Sequence, residues 1–316
     1  MNILIAFVIS FIGINIYFHI ARRYQILDIP NERSSHSGSP IRGAGIIFPS
    51  IIFIASLRYS EYHFIGVGCI GLGILSLTDD IRGLSSKLRF LLQVLLTCTA
   101  FFHFLGHFEF YWILLGIFLS LAFLNAYNLM DGINGITAIY SLVISVTILY
   151  VDHLTNIFSS EILGWVIVAI LVFAFYNVRR KAIAFSGDAG SIPLGLFFGI
   201  LLIMTITQTD VSFLLLVSVY GIDSGLTIFF RLLKKENIFK AHRQHLYQRL
   251  ANEKGLDHIL VSGSYGLIQL FINLLVIGNW HLQIINPIAL LISVLILLLT
   301  AYLYLGRKWL FIASNS

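Results

Sequence analysis

The stretch "IINPIALLISVLILLLTAYLYL", residues 284–305, runs for twenty-two residues without a charged side chain. The hydrocarbon core of a bilayer is about 30 Å thick, and roughly 20 apolar residues cross it as a helix. Inside lipid a segment must satisfy its own backbone N–H and C=O groups, and that requirement selects the helix. Ten further apolar blocks repeat the pattern, at 2–20, 44–57, 63–78, 88–105, 110–126, 133–151, 162–177, 190–207, 211–232 and 259–279, of which the second and third are short. Composition agrees: of 316 residues 58% are hydrophobic and 11% charged, with a mean hydropathy of +0.90. A soluble domain carries about 25% charged residues. The expectation is an all-α fold, a polytopic transmembrane bundle with eleven helices. The first block has no basic leader and no small-residue cleavage site, and Arg22 and Arg23 follow it, so it reads as a retained helix.

Eleven crossings put the two termini on opposite sides and divide the connections into two alternating sets. One set, with Arg231 at the end of its helix, holds nineteen of the twenty lysines and arginines; the other has Arg58 beside Glu61, Glu109, Asp152, Glu161 and Asp210. The positive-inside rule makes the first set cytoplasmic, with the N-terminus outside and the C-terminus inside. The net charge of +5 therefore reports topology and contact with anionic headgroups, not nucleic acid. Cys69 and Cys98 fall inside predicted helices, far apart and without a CxxC spacing, so neither a disulfide nor a metal site is expected. Nothing resembles a linker or an internal repeat, and residues 1–316 read as one membrane domain.

Five polar stretches all fall on the basic side: "DIPNERSSHSGSPIRGAG" (28–45), "TDDIRGLSSKLRFLLQ" (78–93), "NAYNLMDGINGITA" (125–138), "FSGDAGSIPLG" (185–195) and "KAHRQHLYQRL" (240–250). Segments 21–43, 79–88, 125–135, 178–191 and 233–258 can thus build one site on the cytoplasmic face. Asp79 and Asp80 end the third block, Asp131 precedes the sixth and Asp188 the eighth. A single carboxylate before a helix caps it and complements its dipole. Four on one face among arginines, lysines and histidines point further. Oxygen-rich clusters suit Mg²⁺, held by one or two carboxylates plus substrate phosphates. Adjacent helical residues point about 100° apart, so Asp79 and Asp80 have different tasks. The glycines of "SGDAGS" and "DGING" lie at helix N-termini, where free N–H groups meet phosphate oxygens. Together these indicate phosphoryl chemistry on an anionic substrate.

Other signals weigh less. "GVGCIGLG" (66–73) matches GxGxxG but lies inside a transmembrane block, where small residues form a packing surface. His242 and His245 lack a cysteine or carboxylate spaced to complete a zinc site, and phosphate contact is the expected role. Asp223 lies within a helix near its cytoplasmic end, and the expectation is a functional group or a partner for Arg231 or a loop lysine.

In this order and spacing the five stretches resemble the polyprenyl-phosphate N-acetylhexosamine-1-phosphate transferase family, which includes the phospho-MurNAc-pentapeptide translocases. The resemblance covers essentially the whole chain. It implies ten or eleven transmembrane helices, a cytoplasmic cleft, Mg²⁺ (with Mn²⁺ as a substitute), and transfer of a sugar 1-phosphate from a UDP-N-acetylsugar to undecaprenyl phosphate with release of UMP. Asp79 and Asp80 match the family's paired aspartates and Lys87 the lysine beyond them; with Asp131, of the N-x-x-N-x-x-D-G motif, these are the implied catalytic residues. Asp188 and Asn128 are the implied metal ligands. Phe185 matches the aromatic that stacks on uracil and Asn134 a uracil-contacting position, while His242, Arg243 and His245 match the basic loop that reaches the donor; Arg42 of "PIRGAG" joins them as a substrate-binding residue. Many relatives read H-L-H-H where this chain has "HLYQ", and the usual proline before the ninth-helix aspartate is replaced in "YGIDS". "RSSH…PIRGAG" and "HRQHLYQ" look most like the branch that initiates O-antigen or similar surface glycans, as in lipopolysaccharide biosynthesis.

On this reading Asp79 positions the acceptor or takes its residual proton, and Asp80 and Asp131 organise metal and lysine. One-step transfer and an aspartyl-phosphate route both stand. The expected partners are the UDP-N-acetylsugar, undecaprenyl phosphate, the bilayer of the bacterial cytoplasmic membrane and a second copy in a homodimer; GlcNAc, GalNAc, QuiNAc and FucNAc donors all remain open. A flippase or transporter is the alternative, but it would place ionisable groups near the midplane, often in repeated halves. A CDP-alcohol phosphotransferase fails on the "GITAIYSLV" that follows "DGIN".

Overall fold

The computed structural model describes residues 3–28, 39–105, 108–237 and 242–310, and all eleven apolar blocks are helical in it. Residues 29–38, with all of "NERSSHSG", and Lys240 and Ala241 of the basic loop lie outside the described residues. In chain order the helices are α1 (Ile3–Arg23), α2 (Ile47–Ser56), α3 (His63–Arg82), α4 (Ser86–Ala100), α5 (Phe110–Leu129), α6 (Ile136–Thr155), α7 (Ser160–Asn177), α8 (Asp188–Gln208), α9 (Ser218–Leu233), α10 (Leu246–Asn252), α11 (His258–Leu282) and α12 (Pro287–Leu310). Short 3₁₀ turns lead into α2 and α9. Among the described residues nine helical segments are long and apolar enough to cross a membrane, while Ala44–Ser56 and α4 are shorter. The sequence reading had the third block short. It is long instead, a 23-residue segment from Ser60 to Arg82, because the helix continues through the charged Asp79 and Asp80 and stops at Gly83 in a left-handed conformation. Among the described residues the small helix α10, inside what read as a loop, is the one unexpected α-helix.

The chain alternates between two ends of the bundle. Arg58, Glu61, Glu109 and Asp210 lie on the connections at one end, with Asp152 and Glu161 in the helix turns beside them, where Tyr59 donates to Glu161 (2.5 Å) and the Phe158 N–H to Asp152 (2.6 Å). The five polar stretches meet at the other end, as far as they are described. The N-terminus of α1 and the C-terminus of α12 are therefore at opposite ends of the bundle.

Lipid tails are as apolar as leucine, so membrane helices are held by close packing of small residues and by interhelical hydrogen bonds, the latter worth about 0.6 kcal/mol each on average. Both devices are present. A Cβ on Gly68 would lie 2.8 Å from Ala100 Cβ in α4, and one on Gly73 2.7 Å from Pro49 in α2, so "GVGCIGLG" is a packing surface as the sequence suggested. A buried polar chain joins α6 to α11: Tyr140 donates to Gln269 (2.6 Å), and Asn273 donates to Thr147 (2.9 Å). Helix α8 runs through the centre, buried along most of its length against α3 and α5.

The segment ahead of α2 and the segment ahead of α8 lie side by side. Ile41 N–H donates to Ile183 C=O (3.0 Å), Phe185 N–H to Ile41 C=O (2.8 Å), Ala44 N–H to Phe185 C=O (3.0 Å) and Gly45 N–H to Ser186 C=O (3.1 Å). The approach closes on two glycines: a Cβ on Gly190 would sit 2.5 Å from Gly45 Cα. Backbone cannot give way there as a side-chain tip can. Gly190→Ala is expected to destabilise the protein by at least about 1–3 kcal/mol, the usual range for overpacking. Gly164→Ala, whose Cβ would meet nothing within 4 Å, serves as the neutral control. Thermal denaturation of both variants in one detergent makes the comparison.

Candidate active site

Four carboxylates converge at the polar end of the bundle, and each is held differently. Asp79, in the last turn of α3, accepts the Leu84 N–H (2.7 Å) and an Arg89 guanidinium N–H (3.0 Å), closing the turn into α4. Its neighbour Asp80 points elsewhere, as the 100° step of a helix requires. One oxygen of its buried side chain takes Arg42 at 2.6 Å, and the other, Oδ2, is buried without a partner. Arg42 is in turn fixed through its main chain, since the Tyr17 hydroxyl donates to its carbonyl (2.6 Å). The 41–45 segment thus carries Arg42 to Asp80, and the 183–190 segment brings Asp188 beside both.

Asp188 is the first residue of α8, and Gly187 before it has a φ of 64° that suits glycine. Asn128 donates to Asp188 and accepts from Ser191 Oγ (2.6 Å), which fixes both ends of the amide. Asp131 lies half-buried between α5 and α6, bonded to the Thr137 hydroxyl and to the Gly187 N–H. Burial raises its carboxyl to about 7; the charge of Asp188 adds to the rise, and those two hydrogen bonds oppose it. Asp188 is within electrostatic reach of Asp79, Asp80 and Asp131. The arginines paired with this group are Arg42 and Arg89, so negative charge is in excess, and the orphaned Asp80 Oδ2 is a ready ligand atom. These features fit a divalent cation. Among the described residues no three His, Cys, Asp or Glu side chains form a closed cage, which suits an ion that takes its remaining ligands from phosphate and water.

The remaining site residues of the sequence reading fall in two groups. Lys87 is exposed on the first turn of α4, and Phe185 is half-buried with its backbone bonded to the 41–44 segment. Asn134 is buried within the fold, its amide donating to the Arg179 (2.8 Å) and Arg180 (3.0 Å) carbonyls, where the resemblance implied a uracil contact. Arg243 is half-buried, and His245 is 1% exposed with Nδ1 3.5 Å from Asp223. Asp223 also accepts the Leu246 (2.9 Å) and Tyr247 (3.1 Å) N–H groups and the Tyr265 hydroxyl (2.6 Å). It is the cap of α10. Of the roles expected for Asp223, pairing with Arg231 is not what forms: Arg231 bonds Glu236 (2.9 Å), and Asp223 takes the two N–H groups at the start of α10 together with Tyr265 and His245. Sequence reasoning did not place Arg89 at the site; its signal was a second cation two residues beyond Lys87 on the turn that follows the aspartate pair.

The sequence profile described as glycosyl transferase family 4 matches residues 62–206, the span that contains Asp79, Asp80, Asn128, Asp131, Phe185 and Asp188. The chain is 30% identical over 289 residues to a probable undecaprenyl-phosphate N-acetylglucosaminyl 1-phosphate transferase of Bacillus subtilis (strain 168), covering 82% of this chain and 79% of that protein. It is 28% identical over 276 residues to the phospho-N-acetylmuramoyl-pentapeptide-transferase of Dictyoglomus thermophilum, covering 79% and 87%. The protein of that name from Staphylococcus epidermidis is 26% identical over 309 residues, covering 84% and 95%.

His242 offers a pH test of this end of the bundle. Burial first, then the neighbouring His245 and Arg231, lower its pKa from 6.5 to about 4, so it is neutral at pH 7. The unfolded chain takes up this proton at a higher pH than the folded one, so stability is present above the unfolded value and is lost as pH falls from about 6.5 towards 4. The expected outcome is a melting temperature that drops on acidification from pH 7.5 to 5. A His242→Asn variant should drop less over the same interval.

Proposed function

The chain belongs to glycosyl transferase family 4, and we propose that it transfers an N-acetylhexosamine 1-phosphate from a UDP-N-acetylsugar to undecaprenyl phosphate, releasing UMP, as the initiating step of a bacterial surface polysaccharide. The observation that carries this reading is the buried Asp80, with one oxygen on Arg42 and the other unpartnered, beside Asp188 at the polar end of an apolar bundle. An ion-binding site opened at that level meets a phosphate whose lipid tail lies in the bilayer and a nucleotide that arrives from water. The positive-inside rule makes this end cytoplasmic, because every described lysine and arginine except Arg58 lies towards it.

In the proposed reaction an oxygen of the lipid phosphate attacks the sugar-bearing phosphorus of the donor. That bond forms while the bond from the same phosphorus to the bridging oxygen breaks, and UMP leaves with the electron pair. Mg²⁺, or Mn²⁺ in its place, would be held by Asp188 and Asp80 and would supply charge screening between two anionic reactants. Asn128, through Nδ2, keeps Asp188 in place. Arg42 and Lys87 are the cations available to developing charge, and a planar guanidinium can fork onto two phosphate oxygens. A phosphate monoester has its second pKa near 6, so the acceptor is mostly dianionic at pH 7 and needs little base catalysis. Asp131, poised at about 7, is better suited than Asp79 to take the residual proton, since Asp79 is committed to Arg89 and Leu84. Phe185, half-buried beside the 41–44 segment, would stack on the uracil.

Detergent-solubilised protein given UDP-N-acetylsugars, Mg²⁺ and undecaprenyl phosphate is expected to release UMP, and the panel of N-acetylhexosamines and their 6-deoxy forms identifies the donor. Asp188→Asn should reduce turnover by at least about 10²-fold, as loss of one strong electrostatic contact does. No UMP from any donor, or normal release by Asp188→Asn, would sink the assignment.

The orientation is tested separately. A reporter fused after Ser316 is expected to behave as cytoplasmic and one inserted beside Asp152 as external. The reverse pattern would remove the site from cytosolic nucleotide sugar.

A further inference from the structure

The turn that carries Asp131 is closed by a single hydroxyl from another helix. Tyr247, in the first turn of α10, is wholly buried. Its hydroxyl donates to the Leu129 carbonyl (2.9 Å) and accepts both the Gly132 N–H and the side-chain amide of Gln248. Leu129 and Gly132 flank Asp131, so this one oxygen spans the turn on which the carboxylate stands. The fit allows no Cβ at Gly132, where one would run into the Tyr247 hydroxyl and lie 2.8 Å from Gln248 Nε2.

The same residue is anchored from below. Its main-chain N–H donates to Asp223 Oδ2 of α9 at 3.1 Å, the Tyr265 hydroxyl of α11 donates to the same oxygen at 2.6 Å, and the Leu246 N–H takes Oδ1 at 2.9 Å. Asp223 itself is 2% exposed. A rigid path therefore runs from α9 and α11 through the start of α10 to the Asp131 turn.

We propose that Tyr247 is a positioning residue for Asp131. It latches the 129–132 turn so that the carboxylate stays against Thr137 and Gly187 and beside Asp188, and it acts without touching substrate. The inference rests on the transfer reaction proposed above. It gives the "HLYQ" departure a meaning: a neutral, buried tyrosine at this position binds the protein's own backbone.

The test compares Tyr247→Phe with Tyr302→Phe, which removes a buried hydroxyl that meets Thr227 at 3.0 Å, away from the Asp131 turn. For Tyr247→Phe, kcat should fall by at least about tenfold, since an error of about 1 Å in a reacting group can lower a rate 10²-fold. KM for donor and acceptor should stay within about twofold, a change of only ~0.4 kcal/mol. Its melting temperature should fall no further than that of Tyr302→Phe, which keeps wild-type kcat. Hydrogen exchange of the 129–135 amides, read without substrate, should accelerate in Tyr247→Phe alone. Tyr247→His, which retains a ring and a hydrogen-bonding atom, should recover kcat to within about threefold of wild type, and it carries the test if the phenylalanine variant does not accumulate. An unchanged kcat overturns the proposal. So does a raised donor KM with intact kcat, which would make Tyr247 a substrate contact, and so does a folded but inactive Tyr247→His. Wild-type protein that releases no UMP sinks the transfer reading and this proposal with it, whereas an active wild type with an unaffected Tyr247→Phe sinks the proposal alone.

Discussion

Arg42 on Asp80 is the contact around which this end of the bundle is organised. The guanidinium reaches the carboxylate at 2.6 Å from a segment separated from it by two helices. It can do so because the 41–45 and 183–190 backbones pair by four hydrogen bonds and close on Gly45 and Gly190. That pairing sets the start of α8 against the end of α3, and so brings Asp188 to Asp80. A larger residue at either glycine would separate the segments, and the carboxylates with them. The pair is only partly buried, with Asp80 covered and the Arg42 side chain 42% exposed, and such a pair contributes little net stability. Here the pair's more informative property is that it is incomplete, with one Asp80 oxygen left over.

Much of the architecture was legible because lipid imposes a simple rule on sequence. Eleven apolar blocks became helices, and the polar stretches between them, as far as they are described, gathered at one end. Errors of extent came from charge: the third block looked short because its apolar run ends at Thr78, whereas the last turn of α3 carries Asp79, Asp80 and Arg82 out of the apolar layer. Helix α10 was invisible for a related reason. With seven residues it is too short for a hydrophobic period to declare itself, and it depends on a cap from α9 rather than on its own sequence.

Residue types at the site were easier to read than residue tasks. Asp79 and Asp80 were separable from helix geometry, and their different partners agree with that. Which direction each faced required knowing that α4 turns back to place Arg89 on Asp79. Asn134, His245 and Asp223 look alike in sequence, as polar residues next to motifs, yet each is turned inward: one ties the α7–α8 connection, and the others pair beneath α10. Burial of a polar side chain is a tertiary property, decided by neighbours distant in sequence.

The inward turn of His245 and the neutrality of His242 have a consequence for the proposed chemistry. In that proposal His242 is neutral at pH 7 and His245 is buried against Asp223, so screening of the reacting phosphates would fall to guanidinium groups, to Lys87 and to a divalent ion. Arginine stays charged at any physiological pH, and a metal site built on carboxylates such as Asp188 and Asp80 keeps its charge wherever those groups remain ionised. The proposed proton acceptor is Asp131, whose carboxyl burial raises to about 7. A site arranged in this way separates its two electrostatic tasks. In the transfer proposed above, cations would hold the anions together, and Asp131, set by a turn that α10 covers, would take the proton.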